Sequence, residues 1–491
     1  MNKTNSPHPQ WALKHKKPGT ELRLLNGRYY LYEYKTHYDQ VKKGPRKKTG
    51  ALLGSITQEH GFVPSKKRMM EGVVHQKVFA HVRVKEYGVS WLVLYHLKQY
   101  CDVLKKSFGE DWKNLIAIAY CRFLYRCPLK SIPFHLATSY LSEGLGIDSF
   151  TEKQASGILN RIGDQRDRMI DYMRAFIQKG DYVLMDATNV ISHSQNISLS
   201  KQGYSNNLSY DSQFNLLYLY SSQNRMPVYY RLLAGNIREV KAFKNSILEA
   251  GLDRAVIIAD KGFYSERNIE LLFDEKLQFI IPLKRDNSMI DYQAMVNNTF
   301  KQSASYFEHE KKSIWYRKTR IENGLYLHLF LNELLRVKED SDYLTRIKTH
   351  PESYSIDGYH EKRNRFGTLA LLTNLKDSDQ VIYQIYKSRL SIELMFDGMK
   401  NVLEADHTYM QNEQTLQGWM FINHITLQWY QHLYIDLKDK GLLNKISVND
   451  YVQHLTDIKK IYINEQWHFN EFTNYTKKLT LALSLNIDFD Q

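Results

Sequence analysis

The order of predicted strands and helices between residues 181 and 283 places the strongest constraint on the fold. Apolar runs bounded by polar turns predict strands, and apolar residues at helical spacing predict helices. The predicted elements are strands at 182–185, 214–220 and 228–233, a helix at 238–250, a strand at 255–259, a helix at 265–273 and a strand at 278–283. Three successive strands followed by helix–strand alternation predict an α/β domain built on one mixed sheet.

Two acidic residues follow strands of this series, and a third lies on a later helix. Asp186 ends the first strand, Asp260 ends the fourth, and Glu393 lies in a helix predicted at 386–400. A single Asp at a strand end is explained by a turn or a cap, so the pattern depends on all three. If these separate elements bring the three carboxylates together, their oxygens suit hard divalent ions. Two such ions can hold the attacking and leaving oxygens of a phosphodiester displacement.

The helix at 386–400 gathers four side chains along one edge. At about 100° per residue, Tyr386, Arg389, Glu393 and Lys400 fall within an arc of roughly 60°. The arc lies beside an apolar stripe formed by Ile385, Ile392, Phe396, Met399 and Leu403. The alternative interpretation is a solvated helix face with intrahelical ion pairs.

The net positive charge favours a polyanionic partner, and nucleic acid is the first candidate. The 491-residue chain carries a formal charge of +14, and such a balance suits a nucleic-acid-binding protein. Residues 1–50 hold twelve Lys or Arg and three acidic residues, a net charge of +9. One basic cluster comprises Lys42, Lys43, Arg46, Lys47 and Lys48. We therefore predict a DNA-binding region at 1–75; a basic tail with a solubilising hairpin is the alternative.

The rest of the chain divides by its periodicity. Helical spacing predicts a helical domain at 90–180, and alternating stretches predict a β-rich insertion at 284–366. This insertion separates two parts of the α/β domain, 181–283 and 367–440, and a helical region follows at 441–491. No apolar run has the roughly 18 residues of a membrane span, and the N-terminus has no signal core. The three cysteines lack metal-pair or disulfide spacing, so we predict a cytoplasmic protein.

Several motifs together resemble one enzyme family. The strand order resembles the ribonuclease H-like fold. The spacing Y-x2-R-x3-E-x6-K from Tyr386 to Lys400 is similar to the motif around the catalytic Glu of bacterial insertion-sequence DDE transposases of the IS-four superfamily. Further matches to that superfamily are residues 185–189 and 258–265, which resemble its two Asp motifs, and 372–374 and 403–409 with Gly418 downstream. The resemblance covers roughly residues 180–440.

The resemblance implies a transposase that cuts and pastes its own element. Asp186, Asp260 and Glu393 would bind two Mg²⁺ ions, for which Mn²⁺ could substitute. They would activate water to nick the transposon end and then the freed 3′-hydroxyl; some relatives pass through a DNA hairpin. Arg389 and Lys400 would hold phosphates that Tyr386 helps to position. The implied partners are terminal inverted repeats and target DNA, bound by a homodimer at the bacterial nucleoid.

Other interpretations stay open. Trp315, beside Tyr316 and two cations, is a candidate to stack a flipped base, or it is a core residue of the insertion. A metal-dependent nuclease or resolvase of the same fold is one alternative function. A non-catalytic DNA-binding regulator derived from a transposase is another. A zinc site on His193 or His407 is disfavoured because neither has a second His or Cys at ligand spacing.

Overall fold

A computed structural model describes residues 7–39, 43–66, 82–178, 181, 183–194, 196–202, 212–234, 240–252, 255–258, 264–463, 465–485 and 487. The chain forms two compact units. One comprises Met1–Arg83 and Ile461–His468, and the other comprises Val84–Lys460 and Phe469–Gln491. Within the described ranges, no helix has both the length and the apolar character needed to cross a bilayer.

The smaller unit contains a four-stranded antiparallel sheet in the order β1-β2-β3-β4. Its elements are α1 (Gln10–Leu13), β1 (Thr20–Leu25), β2 (Arg28–Asp39), β3 (Gly44–Thr57) and β4 (Gly61–Pro64). A small apolar cluster that includes Leu22, Leu31 and Ile56 forms its core. The end of β2 and the start of β3 extend beyond that core as a largely exposed two-stranded ribbon.

The larger unit begins with helices. After β5 (Arg83–Glu86) come α2 (Gly88–Trp91), a π-helical turn (Leu92–His96), α3 (Lys98–Phe108), α4 (Trp112–Tyr125), α5 (Ile132–Ala137), α6 (Leu141–Leu145), α7 (Glu152–Gly163) and α8 (Arg166–Arg174). Helix α4 is buried along most of its length because its sequence is almost entirely apolar. The three cysteines are free and buried among these helices.

One large mixed sheet follows. Its first elements are β6 (Val183–Ser192), β7 (Lys201–Gln202), β8 (Ser212–Ser221), β9 (Met226–Ala234), α9 (Val240–Ala250), β10 (Ala255–Ile258), α10 (Glu266–Asp274) and β11 (Gln278–Pro282). Strand β8 pairs antiparallel with β6 and β9, whereas β6, β10 and β11 are parallel neighbours. The predicted mixed α/β sheet is therefore confirmed.

The predicted insertion contains both strands and helices. Its elements are α11 (Gln293–Val296), α12 (Phe300–Ser303), β12 (Ser305–His309), β13 (Lys312–Arg320), β14 (Tyr326–Asn332), α13 (Glu333–Thr349) and α14 (Ile356–Lys362), and β15 (Thr368–Thr373) returns to the core. Strand β15 pairs with both β11 and β14. The strands of the insertion therefore continue the main sheet. Strand β11 pairs with one edge of β15, and β14 forms the hydrogen bonds of the other edge.

Two long helices cover one face of this sheet. Helix α15 (Asp379–Asp397) continues into a π-helical turn (Gly398–Val402), the short β16 (His407–Thr408) pairs with β6, and α16 (Glu413–Asp439) follows. Helix α16 is buried because α7 lies against it at very close range. A Cβ on Gly418 would lie 2.2 Å from the Leu159 carbonyl oxygen, so this crossing requires glycine.

The C-terminal region is not wholly helical. It contains α17 (Val448–Thr456), β17 (Lys459–Ile463), β18 (Gln466–Phe469) and α18 (Asn474–Ala482). The two strands lie where the chain crosses between the units, as β5 does. The helical prediction for 441–491 missed these strands because each is short and lacks a strong alternating pattern.

Candidate active site

Strand β6 carries Asp186 on the sheet face that α15 covers. Asp186 lies directly opposite Tyr218 of β8 in the antiparallel register. Residues paired in this way point to the same face of a sheet. The ring of Tyr218 lies 6.0 Å from that of Phe396 on α15. The Asp186 side chain therefore points to the side of the sheet on which this helix packs.

A second contact fixes where α15 lies along these strands. Tyr220, two residues after Tyr218 on β8, lies beside Ser391 of α15, and their hydroxyl groups interact. Glu393 lies between Ser391 and Phe396 in the helix. The two contacts thus position the segment that carries Glu393 over the strand pair that carries Asp186.

The second predicted Asp lies outside the described residues. Strand β10 runs parallel to β6, with Ile257 opposite Met185. Its last residue, Ile258, therefore comes level with the Asp186 position. Asp260 follows two residues later and, like Lys42, lies outside the described part of the chain.

Three of the four predicted edge residues contact one another on α15. An Arg389 guanidinium nitrogen lies 3.3 Å from a carboxylate oxygen of Glu393, and the guanidinium also interacts with the Tyr386 phenol. The Glu393 side chain is 49% exposed, so its carboxylate can accept further ligands from solvent. The buried Nε of Arg389 has no hydrogen-bond partner among the described residues. The edge therefore presents a partly exposed guanidinium beside an accessible carboxylate.

Burial changes the protonation equilibria at both ends of this edge. It raises the pKa of the Tyr386 phenol, which the nearby Arg389 opposes. It lowers the pKa of the Lys400 ammonium, which the carboxylate of Asp406 opposes. Lys400 lies in the π-helical turn rather than in regular α-helix, so the uniform 100° spacing ends before it. Turns of this kind occur often at functional sites.

Sequence reasoning missed Arg122, which anchors the chain just after Lys400. This buried side chain from α4 donates to the carbonyl oxygens of Leu403 and Glu404 at 2.5 and 2.9 Å. It also donates to Asn423 Oδ1 on α16 at 3.0 Å. Burial lowers its pKa to about 10. The available signal was a single Arg within an otherwise apolar helix, because a buried charge needs partners.

A family comparison agrees with this arrangement of motifs. The model described as transposase DDE domain matches residues 178–429, more than half of the 491 residues. The chain belongs to the transposase DDE domain family. The matched range contains Asp186, Asp260 and Glu393. The predicted membership of the DDE transposases is therefore confirmed.

Searches of other proteins add little to this DDE domain assignment. A search of curated proteins finds no match. Among solved structures, the cryo-EM structure of a piggyBac transposase synaptic complex with hairpin DNA is similar at 11% sequence identity and a TM-score of 0.34. The similarity covers 63% of this chain and 62% of that chain.

Trp315 lies on β13, on the opposite face of the sheet from α15. The adjacent residues of the strand, Ile314 and Tyr316, face the side where Phe307 and Tyr383 of α15 make ring contacts. Alternation along the strand places Trp315 on the other side. Its half-buried ring contacts Tyr306 at 5.2 Å, and the Lys301 ammonium lies 5.3 Å from the ring centroid. The structure does not bring Trp315 together with the edge of α15.

The N-terminal cations of the DDE-family chain lie on the exposed ribbon of β2 and β3. Arg46 pairs with His37 and Lys48 with Lys35, so these side chains share one face. Lys47 lies on the other face, 4.6 Å from the ring of Tyr34. Lys43 has a left-handed backbone conformation beside the turn. Like charges directly opposite each other destabilise a sheet, so the Lys35 and Lys48 pair has an energetic reason to contact a polyanion.

The structure brings together His193 and His407, which are far apart in sequence. Their rings stack at 5.5 Å, and His193 also stacks on Tyr409 at 4.6 Å. Asp406 hydrogen-bonds His407 Nδ1 at 2.7 Å. Among the described residues, these side chains do not form a group of three possible metal ligands. This cluster lies beside the end of β6, where two residues of that strand pair with β16.

Proposed function

We propose that this chain is a cut-and-paste DNA transposase of the IS-four superfamily with a ribonuclease H-like catalytic core. The observation that carries the proposal is the Tyr386, Arg389 and Glu393 edge of α15, placed over the strand of Asp186 within the DDE domain match. The strand order β9-β8-β6-β10-β11 supports the core assignment. Its first three strands are antiparallel and its last three are parallel, as that fold requires.

The donor set fits Mg²⁺. Asp186, Asp260 and Glu393 offer only carboxylate oxygens, which this ion prefers. The described pair, Asp186 and Glu393, lies on one side of the sheet, and Glu393 is accessible. When bound, two Mg²⁺ ions would supply Lewis-acid activation of a nucleophile and stabilise charge on the phosphate.

The neighbouring side chains then have separate tasks. The Arg389 side chain is 23% exposed, so its guanidinium can contact a phosphate oxygen while Nη2 stays beside the Glu393 carboxylate. The Lys400 ammonium, partly desolvated beside Asp406, adds a second positive charge for the DNA backbone. Tyr386 interacts with the Arg389 guanidinium and would restrain it. Together they would hold the cleaved strand against the carboxylates.

The test is cleavage of duplexes that carry the inverted repeats flanking the reading frame. We expect Mg²⁺-dependent nicking and strand transfer by the wild type, and none by Asp186→Asn, Asp260→Asn or Glu393→Gln. Each substitution removes an ionic ligand at nearly constant size, so gel-shift binding is expected to persist. Asp397→Asn is the matched control on α15, because Asp397 hydrogen-bonds Asn401 instead; it is expected to cleave normally.

The outcomes separate the competing functions. Nicking without joining to target DNA indicates a nuclease or resolvase of the same fold. Binding with no cleavage by the wild type indicates a regulator. Normal cleavage by one of the three carboxylate variants would remove that residue from the site.

A further inference from the structure

Two histidines and an aspartate converge at a place remote in sequence from the DDE motifs. Among the described residues, His96, His432 and Asp436 form a group whose possible ligand atoms all lie within 4.8 Å of one another. His96 ends the π-helical turn Leu92–His96. His432 and Asp436 are four residues apart on α16, so they share one face of that helix.

The spacing of these atoms suits one shared ion, and the shorter of the two contacts is also a hydrogen bond. His96 Nε2 lies 2.8 Å from Asp436 Oδ2, and His432 Nε2 lies 3.6 Å from the same oxygen. The longer distance is too great for a hydrogen bond. Ligands bound tetrahedrally to zinc at about 2.0–2.1 Å are separated from one another by about 3.3 Å. The two observed separations bracket that value.

A second layer of contacts orients His432. Its Nδ1 lies 3.1 Å from the Tyr100 hydroxyl, whose oxygen can accept the Nδ1 proton when Nε2 binds an ion. Ligating histidines ordinarily use their other ring nitrogen in such a contact, which fixes the ring and its tautomer.

Space is present for a further ligand. A cavity of about 350 Å³ is bordered by His432, Asp436, Tyr100 and Gln99, and apolar side chains such as Phe176 line its other side. A water molecule can therefore reach the open position beside the three side chains. A site with three protein ligands and one exchangeable position is a common zinc arrangement.

We propose that His96, His432 and Asp436 bind one Zn²⁺ ion, with water from the adjacent cavity as the fourth ligand. Two imidazoles favour Zn²⁺ over Mg²⁺, which prefers oxygen ligands. The ion would connect α16 to the helical turn that precedes α3. This site is separate from the carboxylates proposed for DNA cleavage, and it does not depend on that proposal.

The experiment titrates Zn²⁺ alone into metal-free full-length protein, by calorimetry and by competition with a chromogenic chelator. We expect one Zn²⁺ per chain, a higher melting temperature on binding, and no competition from excess Mg²⁺. Asp436→Asn, His432→Ala and His96→Gln are each expected to weaken binding at least 100-fold. Tyr100→Phe is expected to weaken it by about tenfold, the lower end for outer contacts.

Two controls make the result decisive. His454→Gln removes a histidine that instead packs its ring on Tyr475, and it should bind Zn²⁺ like the wild type. Asp186→Asn should also bind one Zn²⁺, which separates this site from the acidic one. Asp436→Asn retains the side-chain shape and is expected to fold. Circular dichroism will show whether a variant that does not bind Zn²⁺ is still folded. Absent micromolar binding, or unchanged binding in the folded Asp436→Asn and His432→Ala variants, overturns the proposal.

Discussion

The guanidinium of Arg389 lies 3.3 Å from the carboxylate of Glu393, one helical turn further along α15. Its buried Nε has no partner among the described residues, although a buried donor is costly to leave unpaired. The rest of the guanidinium is partly exposed, so a phosphate oxygen can contact it there. The pair therefore connects a predicted carboxylate ligand to a predicted phosphate contact.

We predict that Arg389→Lys slows end cleavage at least tenfold, about 1.4 kcal/mol of transition-state stabilisation. Lys keeps the charge but cannot hold Glu393 and a phosphate in fixed directions at once. Single-turnover cleavage measures the effect. Arg346→Lys is the matched control, because Arg346 pairs with Asp342 at 2.8 Å with the same spacing in α13. Equal rates for the two variants would remove Arg389 from the site.

We predict that Gly398→Ala disrupts the π-helical turn that carries Lys400. A Cβ at Gly398 would lie 2.5 Å from the ring of Tyr430, so the turn or the ring must shift. Cleavage should fall at least tenfold, and adding Tyr430→Leu should restore part of it. Gly157→Ala, on an exposed helix position with open space, should stabilise the fold by about 0.5–1 kcal/mol instead. Wild-type cleavage by Gly398→Ala would contradict the prediction.

We predict that Lys400→Met stabilises the free protein but weakens DNA binding. Burial lowers the Lys400 pKa below its ordinary 10.5, so the folded state disfavours the ammonium. The resulting destabilisation is full below the lowered pKa and disappears as pH rises towards 10.5. Urea unfolding at several pH values should show that Lys400→Met removes this rise in stability.

The control for Lys400 is Lys387 on α15, whose pKa burial also lowers. Lys387→Met should change the pH dependence of stability similarly while leaving affinity for the transposon end unchanged. If both variants bind DNA equally well, Lys400 has no special role in phosphate binding.

We predict that the exposed ribbon supplies electrostatic affinity for DNA. Replacing Arg46, Lys47 and Lys48 together by Gln should reduce the slope of log affinity against log salt by about 2.7, from about 0.9 per neutralised phosphate. The control replaces Lys98, Lys105 and Lys106 of α3 by Gln, which removes the same amount of positive charge outside the ribbon. A slope identical to wild type in the ribbon variant would show that this segment does not contact DNA.

We predict that Trp315→Ala allows nicking but reduces DNA hairpin formation, whereas Trp315→Phe retains hairpins by keeping a stacking ring. Trp112→Ala is the matched control, because Trp112 is also half-buried with a Lys ammonium 6.0 Å from its ring. Trp315 lies on the opposite face of the sheet from α15, so the variant tests whether the DNA end also reaches that face. Normal hairpin yield in a folded Trp315→Ala variant would leave Trp315 as a packing residue of the insertion.

Much of the fold could be predicted because its determinants are local. Apolar runs and their turns specify β6, β8, β9, β10 and β11 in order, and the structure has each of them. The approach of Tyr386, Arg389 and Glu393 also follows from helix periodicity, since residues three and four apart are neighbours. The IS-four assignment, the metal ligands and the DNA contacts stay predictions.

The sequence by itself determined which residues share a strand, a helix edge or a family motif, because those relations depend on short spacings. Only the tertiary structure decided which distant elements meet. It joined the insertion to the main sheet through β15, placed Arg122 under the turn after Lys400, and brought His96 within 2.8 Å of Asp436 across 340 residues. Such contacts depend on how buried surfaces pack together, and no local periodicity encodes that choice of partner.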